Sequence, residues 1–305
     1  MRARALVYLA AAGATLALAA RVGTQDRFAD VKMRAQLAGP GVAMLAGAGG
    51  NIGVCWGADG VLLVDDQFAP LSDRIRASVD SIGGGKPLRW IFNTHWHGDH
   101  TGGNEKLAAL GATIVAHDNV RRRMAVDQIR ALAAHDTIPA SPPGALPIVT
   151  FNDSLTFHVN GEEVRVFHVA AAHTDGDAIV HFVHANVVHM GDCFFNGLYP
   201  VIDLSTGGSI DGMIAADARA LKIMGPDTKV IPGHGPLGDR ATLQAFHDML
   251  VQLRDRVRAQ VRAHKTLEQT IAAKPTAALD AQWGKGGIKP DRIVEVVYTD
   301  LSRRR

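Results

Sequence analysis

Thr94-His95-Trp96-His97-Gly98-Asp99-His100-Thr101-Gly102-Gly103-Asn104 is the stretch on which the reading of this chain turns. Three imidazoles and a carboxylate, from His95, His97, Asp99 and His100, follow directly on the apolar run Trp90-Ile91-Phe92. Imidazole nitrogen and carboxylate oxygen suit zinc and similar divalent metals, and an ordinary core has no use for four such groups side by side. A merely solvated loop would leave the density of histidine unexplained.

The layout suggests more than one ion. His95 and His97 are two apart, so in extended backbone both point to one face. Gly98 permits a sharp turn after them, which lets Asp99 and His100 aim at a neighbouring point. Gly102-Gly103 allow the backbone to pass close to the site before residues 105–110 continue as a helix. The pattern is strand, loop, helix, with the ligand types at the carboxyl end of the strand, where open α/β sheets place their sites.

Four groups from one short loop cannot close a two-metal site, so further ligands are expected downstream. Three places share the strand-then-polar-loop layout. His173 follows the strand-like residues 164–169 and opens His-Thr-Asp-Gly-Asp. Asp192 follows Val187-Val188-His189-Met190-Gly191, and His234 follows Lys229-Val230-Ile231 in Pro-Gly-His-Gly. A lone His after a strand is a weak signal. Three strand ends that each offer a ligand type are a stronger one, because a sheet gathers such ends in space.

On these residues the chain resembles the metallo-β-lactamase superfamily of hydrolases, whose signature is His-x-His-x-Asp-His followed by a later His, an Asp or Cys, and a last His. The resemblance covers roughly residues 41–240. It implies an α/β (α+β) fold, a four-layer αββα sandwich with the site at one edge between two sheets. It implies two Zn(2+) ions per chain, with His95, His97 and His173 on one and Asp99, His100 and His234 on the other, bridged by Asp192. Asp65, at the end of Val61-Leu62-Leu63-Val64, stands where the family has a carboxylate behind its ligands; a plain strand-end Asp fits that position too.

The chemistry implied is hydrolytic. Such a metal pair lowers the pKa of bound water to about 7 and polarises an acyl or phosphoryl oxygen. Asp99 is expected to be catalytic, orienting that water and passing its proton to the leaving group. The expected function is an exported zinc-dependent hydrolase acting on an ester, thioester, lactone or amide bond of a small molecule. A β-lactamase is the rival within the enzyme class. Zinc β-lactamases of the cysteine-ligand type carry Cys at the place of Asp192 and a Lys three residues later, where this chain has Phe195, and they carry Arg where it has His100. A non-catalytic periplasmic metal-binding accessory protein is the rival from another class, but loss of turnover usually leaves gaps in a ligand set, and none is seen here.

The composition agrees. The 305 residues, 47% hydrophobic and 20% charged, have the profile of one large globular domain or of a domain with an extension. A chain of this length does not need a structural metal to fold, so the metal is free to be catalytic. A formal charge of +2, with no basic stripe interleaved with aromatics, argues against a nucleic-acid partner.

Residues 1–20 combine Arg2 and Arg4, an apolar run and Ala17-Leu18-Ala19. That is the pattern of a secretory signal peptide for the periplasm or secretion, with an uncleaved amino-terminal anchor as runner-up. No later run is long enough to span, so no stable membrane insertion is expected after cleavage. Only Cys55 and Cys193 are present, and both are expected as buried thiols. The nine other histidines are read as core or surface residues.

Residues 21–40 read as a polar linker and 41–240 as the hydrolase domain. The apolar runs at 42–45, 52–56 and 61–64, set apart by glycine-rich turns, predict an antiparallel meander. Helical spacing is seen over 72–81, 119–134 and 210–224, and the proline-rich 139–147 reads as a linker between halves. Asn160-Gly161 predicts a tight hairpin. From 241 to 305 an amphipathic helix carrying Leu243, Phe246, Leu250, Leu253, Val257 and Val261 begins a helical extension, expected to pack on the same domain. The sequence does not set the oligomeric state.

Overall fold

The computed structural model describes residues 28–129 and 137–303, so the expected signal segment at 1–20 lies outside the described residues. Strands β1 (Arg34–Gly39), β2 (Val42–Ala46), β3 (Ile52–Gly57) and β4 (Gly60–Val64) form the expected antiparallel meander, extended by one strand at its start. Helix α1 (Ser72–Ile82) then crosses to β5 (Leu88–Asn93), and the short α2 (Gly98–Thr101) and α3 (Asn104–Ala108) lead to β6 (Thr113–His117). After α4 (Asp118–Met124), β7 (Gln128–Ile129) and β8 (Thr137–Ile138) make a separate ribbon, and β9 (Val149–Phe151) completes a seven-stranded sheet whose second half is parallel.

The second sheet has six strands in sequence order: β10 (Ser154–Val159), β11 (Glu162–His168), β12 (Ala178–Phe182), β13 (Val187–His189), β14 (Lys229–Ile231) and β15 (Gly238–Asp239). Asn160 and Gly161 turn the β10–β11 hairpin with φ of 59° and 71°, the left-handed pair that a tight two-residue hairpin requires. Helix α5 (Ile210–Ile223) lies between β13 and β14, and α6 (Arg240–Arg262), α7 (Leu267–Ala272), α8 (Asp280–Trp283) and α9 (Pro290–Arg303) follow the sheet.

Strand alternation produces the layers. On β4, Val61 and Leu63 face the α1 side with Ile75 and Val79, while Leu62 and Val64 face the second sheet. On β12 and β13, Val180 and Val187 face the first sheet, while Ile179 and Val188 meet Met213 of α5 and Leu243, Phe246 and Leu250 of α6. The result is helix, sheet, sheet, helix, a four-layer sandwich. Each such side chain contributes about 1.5–3 kcal/mol when fully buried. The C-terminal helices share the core of the second sheet: Ile293, Val294, Val297 and Leu301 of α9 belong to it, and α6 starts on a capping box between Asp239 and Thr242.

Two expectations need correction. Residues 21–40 are not a linker throughout, because Phe28 is buried against Phe68 and β1 pairs with β2. As an edge strand, β1 exposes Arg34, Ala35, Gln36 and Leu37, so its pairing rests on backbone hydrogen bonds and leaves no apolar alternation to read. The helix expected over 119–134 ends at Met124, and 130–134 lie outside the described residues. Gln128 stops it by donating its amide to the carbonyls of Arg123 (3.0 Å) and Val126 (3.3 Å) as the chain enters the β7–β8 ribbon. The proline-rich stretch is tied down: Ser141 donates its backbone N–H to the Met124 carbonyl, and Asn104 bonds the Ala145 carbonyl.

Candidate metal centre

The carboxyl ends of β5, β11, β13 and β14 meet at one edge between the sheets, and each delivers one part of the site. His95, His97, Asp99 and His100 lie on the segment after β5, His173 lies beyond β11, Asp192 sits in the turn after β13, and His234 follows β14. These seven side chains form two groups. Ligand-type atoms of His95, His97, His173 and Asp192 all lie within 4.8 Å of one another, and so do those of Asp99, His100 and His234. Asp192 faces both groups. Its Oδ2 lies 3.5 Å from His173 Nε2 and 3.9 Å from His95 Nε2, and its Oδ1 lies 3.1 Å from His100 Nε2 and 3.4 Å from His234 Nε2. His234 Nε2 is also 3.3 Å from Asp99 Oδ2. Ligands about 2.0–2.1 Å from a tetrahedral zinc lie about 3.3 Å apart, so these separations suit shared ions.

The chain sets which ring nitrogen each histidine offers. Thr94 spends its one hydroxyl proton on Asp65 Oδ2 (2.7 Å), so at 3.0 Å its oxygen accepts from His95 Nδ1 and leaves His95 Nε2 bare. His97 donates Nε2–H to Asp203 Oδ2 (3.2 Å), His173 donates Nδ1–H to the Val201 carbonyl (2.8 Å), and His100 donates Nδ1–H to Asp65 Oδ2 (2.8 Å). The nitrogens left over point inward, as expected of metal ligands held by an outer partner. His95 Nε2, His100 Nε2 and Asp192 Oδ1 are buried without a hydrogen-bond partner. Orphaned buried atoms of this kind are expensive unless something fills them. The donor set fits a pair of zinc-like ions.

Backbone shape supports the approach. Asp65 adopts φ 66°, uncommon for a residue with a Cβ, and there its carboxylate collects Thr94 N–H, the Thr94 hydroxyl and His100. A Cβ on Gly50 would fall 2.0 Å from His100 Cε1, and one on Gly233 would fall 2.0 Å from Asp192 Oδ1, so both positions must be glycine.

Electrostatically the groups differ. Burial holds His95 well below the usual imidazole range, and burial takes His173 down to about 4, with the Asp192 charge opposing it. Burial also acts against the charge of His234, but Asp192 and Asp99 outweigh it and raise that imidazole to about 9. Burial would raise the Asp99 carboxyl, yet His100 and His234 pull it down to about 2.

Asp65 stands where the sequence placed it, behind His100. Cys55 and Cys193 are both buried and free. Cys193 is buried in the core shared with Phe194 and Phe246, and it is Asp192, not Cys193, that joins the cluster of ligand-type atoms. Sequence reasoning missed Asp203. It lies 106 residues from His97, beside a short turn (Leu204–Thr206) with no strand pattern before it, and only the fold brings the two together.

A sequence model of the metallo-beta-lactamase superfamily matches residues 46–234. The chain belongs to this superfamily. A hydroxyacylglutathione hydrolase of Polaromonas sp. is 30% identical over 152 residues, 49% of either chain. The alpha subunit of a 2,4-dinitroanisole O-demethylase of Nocardioides sp. is 26% identical over 142 residues, 46% of this chain and 40% of the relative. This chain thus spans about half the length of the curated relatives it matches. Among solved structures, a stereoselective inverting sec-alkylsulfatase from Pseudomonas sp. superposes with a TM-score of 0.66 at 17% identity, covering 88% of this chain and 50% of that one. A metallo-beta-lactamase from Pontibacter korlensis gives 0.59 at 18% identity, covering 72% of this chain and 99% of its own. At such identities these likenesses establish the fold of the superfamily. No described helix is long and apolar enough to cross a membrane.

Proposed function

We propose that this protein is an exported two-zinc hydrolase that cleaves an ester, thioester, lactone or amide bond of a small molecule. One observation carries the reading: the two carboxylate oxygens of Asp192 face two separate donor groups, which is the arrangement of a bridging ligand. His95, His97 and His173 would hold one ion, Asp99, His100 and His234 the other, with Asp192 between. Bound zinc would supply Lewis acidity, lowering the pKa of water to about 7 and polarising an acyl oxygen.

The chain's own groups do the rest. A cavity of about 690 Å³ opens over both groups, and Asp99 lines it, about one quarter exposed. An acyl carbon seated in this cavity lies beside Asp99, whose carboxylate can orient the attacking water, take up its proton and return it to the leaving oxygen, sulfur or nitrogen. Water adds across the scissile bond, releasing an acid and an alcohol, thiol or amine. The relatives named as hydroxyacylglutathione hydrolases support a hydrolase, and export rests on the pattern of residues 1–20.

The test is turnover by zinc-loaded protein of p-nitrophenyl acetate, a thioester, a γ-lactone, an anilide and a cephalosporin reporter. Turnover that stops on chelation and returns with zinc is expected. Two ions per chain with no turnover of any of the five would overturn the hydrolase reading and favour the metal-binding accessory protein.

A further inference from the structure

The walls of the cavity over the metal groups differ sharply from its floor. The floor is ionic, made of candidate ligands. The walls carry Phe68, Ile138, Phe195, Leu198, Val201 and Ile288. Among the described residues, no Lys, Arg or Glu lines the cavity. Tyr199 reaches it too, but its hydroxyl is committed to Asp280 Oδ1 at 2.9 Å.

Two loops build one wall together. Residues 196–201, which follow the Asp192 turn, meet residues 283–288 of the C-terminal extension. Tyr199 donates its backbone N–H to the Trp283 carbonyl (2.9 Å), and Gly286 sits so close to Leu198 that a Cβ there would lie 2.9 Å from Leu198 Cδ2. This contact seats Gly287 and Ile288 on the cavity, with Ile288 only 9% exposed. The neighbouring Lys285 and Lys289 are exposed and do not line the cavity, so this loop presents its apolar residue inward and its charges outward. Ile288 lies well past residue 234, where the match to the superfamily ends. The part of the chain outside that match therefore helps shape the site.

We propose that this cavity selects an uncharged substrate with an apolar acyl portion, and that Ile288 of the C-terminal extension is a determinant of that preference. The inference rests on the hydrolase reading of the same site. Apolar walls gain free energy from each methylene they remove from water, whereas a carboxylate on the acyl chain would lose its hydration and meet no Lys or Arg among the described residues of these walls.

The experiment compares kcat/KM of the zinc-loaded chain on p-nitrophenyl acetate, butyrate, hexanoate and octanoate, and on the p-nitrophenyl monoester of adipic acid, which has the length of the hexanoate but ends in a carboxylate. The expected kcat/KM rises along the series, by about fourfold for each fully buried methylene. The adipate ester should fall at least about tenfold below the hexanoate. Ile288→Asp should flatten the series, and Ile288→Leu should keep it. A flat series in the unaltered protein, an adipate ester equal to the hexanoate, or an unchanged slope in Ile288→Asp would overturn the proposal.

If two zinc ions bind and no ester is cleaved, the hydrolase reading fails on its own, and the cavity is tested by calorimetric titration with octan-1-ol. Saturable binding that weakens in Ile288→Asp sustains the apolar selection, and no binding to the unaltered protein overturns it.

Discussion

The two donor groups share one carboxylate and differ in almost everything else. His95, His97 and His173 each have a partner on the outer ring nitrogen, supplied by Thr94, Asp203 and the Val201 carbonyl. Their surroundings hold His95 and His173 neutral, ready to donate a lone pair. In the second group, only His100 is tied in that way, by Asp65. His234 instead stacks on Phe195, with ring centres 5.1 Å apart and planes 18° from parallel, and Asp99 stands open to the cavity. Both groups line the cavity, and on the proposed reading the first would hold its ion more rigidly, while His234 and Asp99 of the second, each about one quarter exposed, would be the more open to a substrate.

This contrast can be broken at several points. The largest effect is expected at the shared residue: Asp192→Ala should lose both zinc ions and all turnover, as read by metal analysis and the ester assay. Retention of either ion at full occupancy would show that the groups do not depend on it. Next, Asp99→Ala should reduce kcat by about 10²–10⁴-fold, the usual weight of a proton-transferring group, and leave the first ion in place. His97→Ala should do the reverse, emptying the first group before the second.

The orienting residues should matter less. Asp203→Ala is expected to weaken zinc at the first group by about 10–100-fold, as removal of an outer partner of a ligand histidine usually does. Competition with a chromophoric chelator reads this directly, and an unchanged affinity would mean that His97 needs no such partner. Cobalt substitution should show no intense thiolate charge-transfer band, and Cys193→Ser should leave metal content unchanged, because Cys193 belongs to neither group of ligand-type atoms.

The smallest effect concerns the distant Cys55. Burial pushes its thiol up to about 11, with the Asn160 amide opposing that rise. A thiol whose folded pKa exceeds its unfolded value stabilises the fold less as pH rises. The loss should begin near pH 9 and grow towards pH 11, by about 1.4 kcal/mol per unit. Native protein should therefore resist iodoacetamide at Cys55 at pH 8, and Cys55→Ala should flatten the alkaline fall in stability. Rapid alkylation at pH 8 would contradict the burial argument.

How much of this was legible beforehand varied with the kind of signal. The histidine loop was readable because its four ligand types are adjacent in sequence. His173, Asp192 and His234 were readable because each follows a strand, and strand ends converge in a sheet. The β10–β11 turn was readable because Asn160-Gly161 suits left-handed backbone. Asp203 was not, since its partnership with His97 is purely tertiary. Nor was β1, whose exposed side chains carry no alternation, or the stop of α4, which depends on one glutamine amide. The place of Ile288 was hidden for a related reason. The helical pattern of residues 241–305 implies an extension packed on the domain, and only the contact between Gly286 and Leu198, with Ile288 on the cavity, shows that it reaches the site.

The central claim is that one carboxylate joins two metal positions, and anomalous diffraction from crystals of the zinc-loaded protein tests it most directly. The expected map holds two peaks about 3.5–4 Å apart, one among His95, His97 and His173 and one among Asp99, His100 and His234, with Asp192 touching both. A single peak at full zinc saturation, or two peaks with Asp192 bound to neither, would contradict the account.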